Sequence, residues 1–319
     1  MATRAYSYFS EKFIDTKNGG VYWETDCNGM PVNTRKQAYA QGFAIYGLSE
    51  YYRASNNPES LEAAIALYKL IEEKFTDPEH AGYIEALGEA WEQLSDMRLS
   101  TKDANEPKSM NTHLHILEPY TNLYRCWKNE ALANSIRSII RIFLDHIIDS
   151  NTAHFNLFFG YNWQVKSSII SYGHDIEGSW LLYEAAEVLE DKALMEEVKN
   201  MIIRMADATI AEGFAPDGSI LYEKEGQHTD TDRHWWPQAE AMVGLVNAWQ
   251  LNGNEKYLGL CEQVWAYTRK HMIDKENGEW FWKVDSNGNP DPDDEKAGFW
   301  KCPYHNSRAM IEVATRLKH

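Results

Sequence analysis

The stretch SYGHDIEGSW, Ser171 to Trp180, places His174 and Glu177 three residues apart, just where an apolar helical pattern begins. Residues at that spacing share one face of a helix, so the pair could be a metal site, an acid/base pair or an ordinary helix start. Zinc proteases carry H-E-x-x-H, with both histidines on one face. Here the run is H-D-I-E-G-S, which lacks the second histidine. His113 and His115 are two apart, and one helix cannot aim both at a single ion. No set of residues shows metal-ligand spacing, and no metal is expected. The acid/base reading has a physical basis: the positive end of a helix dipole disfavours imidazolium, so a first-turn histidine tends to stay neutral and can act as a base. Glu177 could orient the ring or touch substrate; the plainer reading is a first-turn carboxylate favoured by the same dipole.

Other groups repeat the placement. His113, His115, His174, His234 and His305, in MNTHLHILE, YGHDIEG, RHWWPQAE and CPYHNSR, all lie within about one turn of a predicted helix start. Histidines suit proton transfer at a carbon next to a carbonyl, where such bases contribute roughly 10²- to 10⁴-fold each. Glycoside hydrolysis would need two facing carboxylates; Asp103, Asp175, Glu177 and Glu240 are candidates, and nothing in the sequence pairs them. Trp235, Trp236 and Trp300 adjoin predicted helix starts, and flat rings beside polar groups suit sugar faces, though tryptophans also pack loops. In HWWPQ, Pro237 reads as the first helical residue, which leaves both indoles outside the helix to line a cavity.

The elements that must position these groups come from an internal repeat. FIDTKNGGVYWETDCNGMPV (Phe13 to Val32) and MIDKENGEWFWKVDSNGNPD (Met272 to Asp291) share the frame I-D-x-x-N-G-x-x-aromatic-W-x-x-D-x-N-G-x-P, read as helix, hairpin, helix. The helices that follow such loops, 34–53, 109–125, 171–190, 237–250 and 303–317, are apolar nearly all round and are predicted to form an inner layer. The alternating helices, 5–13, 58–75, 129–148, 192–211 and 255–272, are amphipathic and form an outer one. The pattern predicts an α/α barrel in a single domain over 1–319, with the inner-helix N-termini and short β-hairpins gathered at one mouth. The histidines would converge there.

Charge and composition exclude other classes. A net charge of -17 argues against nucleic acid and anionic membrane as partners and leaves neutral ones. MATRAYSYFS lacks the apolar run of a signal peptide, and no stretch approaches the ~18 apolar residues of a membrane span, so a cytoplasmic protein is expected. Cys27, Cys126, Cys261 and Cys302 are widely separated and are read as reduced core thiols.

Taken together, YAQGFAIYGLSEYY, MNTHLHILEPYTNLYR, SYGHDIEGSWLL, RHWWPQAEAMVG and FWKCPYHNSRAM resemble the cellobiose 2-epimerases of the N-acylglucosamine 2-epimerase superfamily over nearly the whole chain. The resemblance implies an (α/α)6 barrel that, without cofactor or metal, inverts C2 of the reducing-end glucose of cellobiose, lactose and related β-1,4-linked sugars. By motif, His174 and His305 resemble the family's two acid/base histidines, and His115 a third site histidine near the open-chain oxygens. Tyr39, Asn111, Glu177 and Trp300 match residues that hold the reducing-end sugar, one of Trp235 or Trp236 matches a stacking platform, and Asp103 is a looser match. An arginine that the family carries on its first inner helix has no counterpart upstream of Tyr39, and five helical pairs are seen where the family has six. The expectation is a chain lacking the N-terminal pair, with weakened activity and a barrel-wall opening that a second copy could cover. An aldose–ketose isomerase of the same superfamily and an inactive sugar-binding relative are the alternatives.

Overall fold

Asn-Gly and Asp-x-Asn turns punctuate this chain, and the computed structural model, which describes residues 1–318, shows them joining helices in a fixed order. Helix α1 (Ala2–Lys12) leads through the hairpin of β1 (Glu24–Thr25) and β2 (Pro31–Asn33) to β3 (Lys36–Gln37) and helix α2 (Ala38–Ser55). Then α3 (Pro58–Lys74), β4 (Ala86–Leu87) and β5 (Lys108–Ser109) precede α4 (Met110–Cys126). Helix α5 (Glu130–Ile142), a π-helical turn at Phe143–Ile147, β6 (Phe158–Phe159) and β7 (Ile169–Ser171) lead to α6 (Tyr172–Val188). Helix α7 (Lys192–Gly213), β8 (Glu223–Glu225), β9 (His228–Thr229) and β10 (Arg233–His234) lead to α8 (Trp235–Asn252). Finally α9 (Glu255–Tyr267), a second π-helical turn at Thr268–Met272 and β11 (Lys283–Val284) precede α10 (Tyr304–Arg316). Among the described residues these are five outer–inner pairs, as the repeat predicts.

The contacts divide into two compact units. One comprises 1–147 with 156–167 and 184–190; the other comprises 148–155, 168–183 and the chain from 191 onward. In the first, α2 packs on α3 and α4, and a Cβ at Gly42 would lie 2.3 Å from the His115 carbonyl oxygen, so only glycine permits that approach. In the second, α8 packs on α9 and α10 and is buried without a break from Trp235 to Ala248, which is why its sequence shows no polar face. The outer helices α3, α5, α7 and α9 each start on Asn57, Asn129, Asp191 or Asn254, whose side chain accepts a hydrogen bond from a first-turn N–H.

Three devices recur ahead of the inner helices. First, the preceding strand pairs antiparallel with a strand of the following loop: β3 with β4, β5 with β6, β7 with β8, and β10 with β11. Second, the residue two positions before the helix is a buried cation in four of five cases, tied to a carboxylate of its own loop. Lys36 Nζ lies 2.7 Å from Asp15, Lys108 2.8 Å from Asp77, Arg233 Nη2 2.8 Å from Asp217 and, counting α10 from its capping Pro303, Lys301 3.0 Å from Glu279. Third, the fourth residue of the helix clamps the hairpin backbone. Gln41, His113, Asp175 and Gln238 accept the N–H groups of Val21, Tyr83, Phe155 and Ile220 at 2.7, 3.0, 2.8 and 2.9 Å. Each clamped residue also makes the bridge that closes its hairpin. The clamp fixes each helix's rotation relative to its own loop.

Several sequence expectations are corrected. Helix α2 begins at Ala38, not 34, because Lys36 and Gln37 are spent in β3. Helix α8 begins at Trp235, so Pro237 is its third residue and both indoles belong to the helix; the first turn tolerates proline because its N–H groups have no intrahelical partner. Trp235 and Trp236 are buried rather than facing an open cavity. Cys27 and Cys302 are exposed; Cys261 is buried. No described helix is long and apolar enough to cross a membrane.

Candidate active site

With the fourth position of each inner helix turned to its hairpin, positions two, three and six fall together on another side, because residues three and four apart share a face. Counting α10 from Pro303, the third position holds His174 on α6 and His305 on α10. The sixth holds Phe43, His115, Glu177, Glu240 and Arg308, and the second holds Tyr39, Asn111 and Trp236 on α2, α4 and α8. Most residues marked by the sequence occupy these three positions.

In the second unit the fold brings His174, Trp236, His305, Glu177 and Glu240 together. The Trp236 ring centroid lies 4.6 Å from that of His174 and 5.6 Å from that of His305, so both imidazoles pack on one indole. The indole is seated by Gly173: a Cβ there would come within 2.4 Å of the Trp236 ring. Gly173→Ala is therefore expected to displace the ring and cost about 1–3 kcal/mol of stability by overpacking, with a raised KM; denaturant unfolding and steady-state kinetics measure both.

Each imidazole is held at Nδ1. Ser171 Oγ lies 2.8 Å from His174 Nδ1, and Glu240 Oε1 lies 2.7 Å from His305 Nδ1. Proton traffic at either ring then falls to Nε2. Glu240 is fully buried and fully engaged: Arg308 Nη2 donates to Oε1 at 2.7 Å and Trp180 Nε1 to Oε2 at 3.0 Å. Burial pushes the Glu240 carboxyl up, but the Arg308 charge and the hydrogen bonds from His305 and Arg308 outweigh it, and the net shift is downward. Glu240 is a carboxylate at neutral pH. The same Nη2 reaches Glu177 Oε1 at 3.0 Å, and the guanidinium lies over the Trp180 ring at 4.8 Å.

Glu177, Glu240 and His305 lie close enough, with donor atoms within 4.8 Å of one another, to hold a metal ion. The sequence gives no hint of this grouping because it comes from three helices. The donor set does not fit a resident cation: the Arg308 guanidinium already occupies the space between the two carboxylates, and a divalent ion there would meet its charge at close range. The same clamp argues against a pair of hydrolytic carboxylates, because neither Glu177 nor Glu240 stands apart from the other across an open gap.

In the first unit, His115 packs edge-on to Tyr39 at 5.1 Å and tilted on Phe43 at 5.0 Å, with Nδ1 3.2 Å from Glu118. Asp103 and Asn111 line a separate small cavity with Glu85. Trp300 is 41% exposed on the loop before α10, edge-on to Phe299.

Two expected site histidines have other tasks. His113 is a satisfied core residue: one nitrogen accepts from Tyr83, the other lies 2.7 Å from the Ser109 carbonyl, and burial holds its pKa down at about 4. His234 immediately precedes α8 without a side-chain capping bond, and its ring stacks on Tyr222 at 3.7 Å. Asp175 is likewise structural, clamping Phe155 and pairing with His154 at 2.7 Å. Sequence reasoning missed Ser171, Trp180 and Arg308. The usable signals were the i, i+3 spacings of Ser171 with His174 and of His305 with Arg308.

The chain is similar to known carbohydrate epimerases. A cellobiose 2-epimerase of Bacteroides fragilis is 49% identical over 315 residues, spanning 98% of this chain and 80% of the relative. One from Dictyoglomus turgidum is 39% identical over 317 residues, spanning 99% and 80%. The solved structure of cellobiose 2-epimerase from Bacillus thermoamylovorans superposes with a TM-score of 0.95 at 40% identity, covering 98% of this chain and 80% of that one. The fold class is the (α/α)6 barrel of these enzymes. With residues 1–309 matching its N-acylglucosamine 2-epimerase profile, the chain belongs to the N-acylglucosamine 2-epimerase family.

Proposed function

We propose that this chain is a carbohydrate epimerase that inverts C2 of the reducing-end glucose of β-1,4-linked disaccharides such as cellobiose and lactose. Relatives named cellobiose 2-epimerase, at 49% and 39% identity over nearly the whole chain, support the substrate class. The observation that carries the chemistry is the pair of imidazoles packed on Trp236, each tethered at Nδ1.

The reaction begins with opening of the pyranose, which frees the C1 carbonyl and acidifies the C2 proton. Nε2 of one histidine takes that proton, and the electron pair moves into a cis-enediolate. Nε2 of the other histidine, protonated at the outset, delivers its proton to the opposite face of C2, the enediolate collapses to the aldehyde, and the ring closes as mannose. One imidazole has gained a proton and the other has lost one, so exchange with solvent or a reverse turnover restores the starting state. Glu240 supports the imidazolium form of His305 by accepting its Nδ1–H, while Ser171 offers His174 only a neutral hydroxyl. Tyr39, Asn111, His115, Glu177 and Trp300 are assigned to holding the sugar, with Trp236 as the platform and Asp103 and Trp235 in support.

Incubation with cellobiose followed by separation of the disaccharides tests this. Glucosyl-mannose is the expected product; a ketose would reassign the chain as an aldose–ketose isomerase, free glucose as a hydrolase. Because Arg308 already ties up Glu177 and Glu240, the carboxylates of the grouping that could hold a metal among the described residues, pre-treatment with EDTA is expected to leave the rate unchanged. Loss of activity restored by zinc would show that a metal takes part.

A further inference from the structure

Glu85 is a buried carboxyl group, 4% exposed, that the reaction as derived does not use. It lies just ahead of β4 and reaches the N-terminus of α4, where Thr112 Oγ1 donates to its Oε2 at 2.8 Å. Its other oxygen, Oε1, is buried with no protein hydrogen-bond partner, and so is Oδ1 of Asn111, the second residue of α4. Both side chains line one cavity of about 20 Å³, closed by Arg98, Leu99, Asp103, Ala104, Ser109 and Phe158. A cavity of that size has room for one water. Two buried acceptors that share a cavity need a donor between them, and leaving either unmade costs about 1–3 kcal/mol.

We infer that Glu85 is a positioning residue that works in its protonated form, supplying through this cavity the hydrogen bond that fixes the Asn111 amide with its NH2 turned to the sugar. The inference rests on the assignment of Asn111 to sugar binding. A carboxylate would leave a cavity water to donate its two hydrogens among three facing acceptors, Glu85, Asp103 and Asn111 Oδ1, and the acid supplies the missing donor. The surroundings favour the acid. Burial raises the Glu85 pKa, hydrogen bonds from Ser109 and Thr112 hold it back, Asp103 raises it again, and it comes to about 7. Asp103 is itself raised by burial. Of the cations nearby, Arg98 is paired with Asp96, and Lys36, on the strand that pairs with β4, is tied to Asp15. Loop residues 99 and 104 and β6 present only apolar side chains to the cavity.

The sign follows directly. Below about pH 7 the acid donates and Asn111 is fixed; above it the donor is lost. KM is expected to rise about fivefold between pH 6 and pH 8, the factor one ordinary hydrogen bond carries, with kcat following its own profile. Glu85→Gln supplies an NH2 donor at every pH, so its KM should stay near the low-pH wild-type value across that range. The Asn111 side-chain NH2 resonances, followed by NMR without sugar, should titrate near pH 7 in the wild type and not in Glu85→Gln. If KM of Glu85→Gln keeps the wild-type pH dependence, or the Asn111 resonances do not titrate in the wild type, the inference is overturned. The resonance experiment needs no turnover, so it tests the link between Glu85 and Asn111 even if epimerisation of cellobiose is not found.

Discussion

Replacing either His174 or His305 by alanine is expected to cut turnover by at least about 10²-fold while sugar affinity stays within a few-fold of wild type. Each substitution removes a proton-transfer group and leaves the neighbouring surfaces in place. The Trp236 indole on which both rings pack is also seated against the Gly173 backbone, a contact that neither substitution removes. Steady-state kinetics on cellobiose, with binding measured separately by calorimetry on the inactive variants, reads both quantities. A variant that keeps half its turnover would remove that histidine from the reaction. His113→Gln is the contrasting case. The new amide can still accept the Tyr83 N–H, so a modest loss of stability and little loss of kcat is expected.

The largest expected stability effect is at Lys36. Its ammonium and the Asp15 carboxylate form an ion pair with both side chains fully buried, and Asp15 also accepts from the backbone of Lys17 and Asn18. Burial pushes the Asp15 carboxyl up, but the Lys36 hydrogen bond and those from Asn18 and Lys17 outweigh it and hold the pKa far below the ordinary range. Lys36→Ala leaves that carboxylate buried without its cation, which costs about 3–5 kcal/mol. The pH dependence has a definite sign. A depressed folded-state pKa means the pair's stabilisation is present above the unfolded value, near 4, and is lost as pH falls toward the folded one. The gap between wild type and Lys36→Ala in denaturant unfolding should therefore be widest near pH 7 and narrow on acidification. Replacing both partners by apolar residues, Lys36→Met with Asp15→Leu, should recover most of the loss.

Much of this could be read from the chain, for identifiable reasons. Helices were legible where burial on all sides leaves an unbroken apolar stretch, as in α8, or where burial on one side leaves a periodic trace, as in α5. The hairpins were legible because Asp26 and Asp285 fold their turns alike, each accepting the N–H groups two and four residues on. What stayed hidden is the clamp. Gln41, His113, Asp175 and Gln238 do one task with three residue types, so no sequence pattern marks them, and His113 therefore read as a site histidine. The ion cluster stayed hidden for a related reason: Glu177, Glu240 and Arg308 come from helices 63 or more residues apart in the chain, and nothing local announces that one guanidinium will hold both carboxylates. Trp235 and Trp236 were misplaced because Pro237 can occupy any of the first helical positions without losing a hydrogen bond.

The central claim is that His174 and His305 address opposite faces of one carbon. Hydrogen exchange at C2 in D2O, followed by NMR for the two single variants with each epimer in turn, tests it most directly. With one histidine left, the enzyme can still take the C2 proton that faces it and return deuterium to the same side. The account predicts that His174→Ala exchanges C2 of one epimer only, that His305→Ala exchanges C2 of the other only, and that neither interconverts them at more than a small fraction of the wild-type rate. If a single variant exchanges both epimers, or interconverts them at the wild-type rate, one group serves both faces and the two-histidine account is wrong.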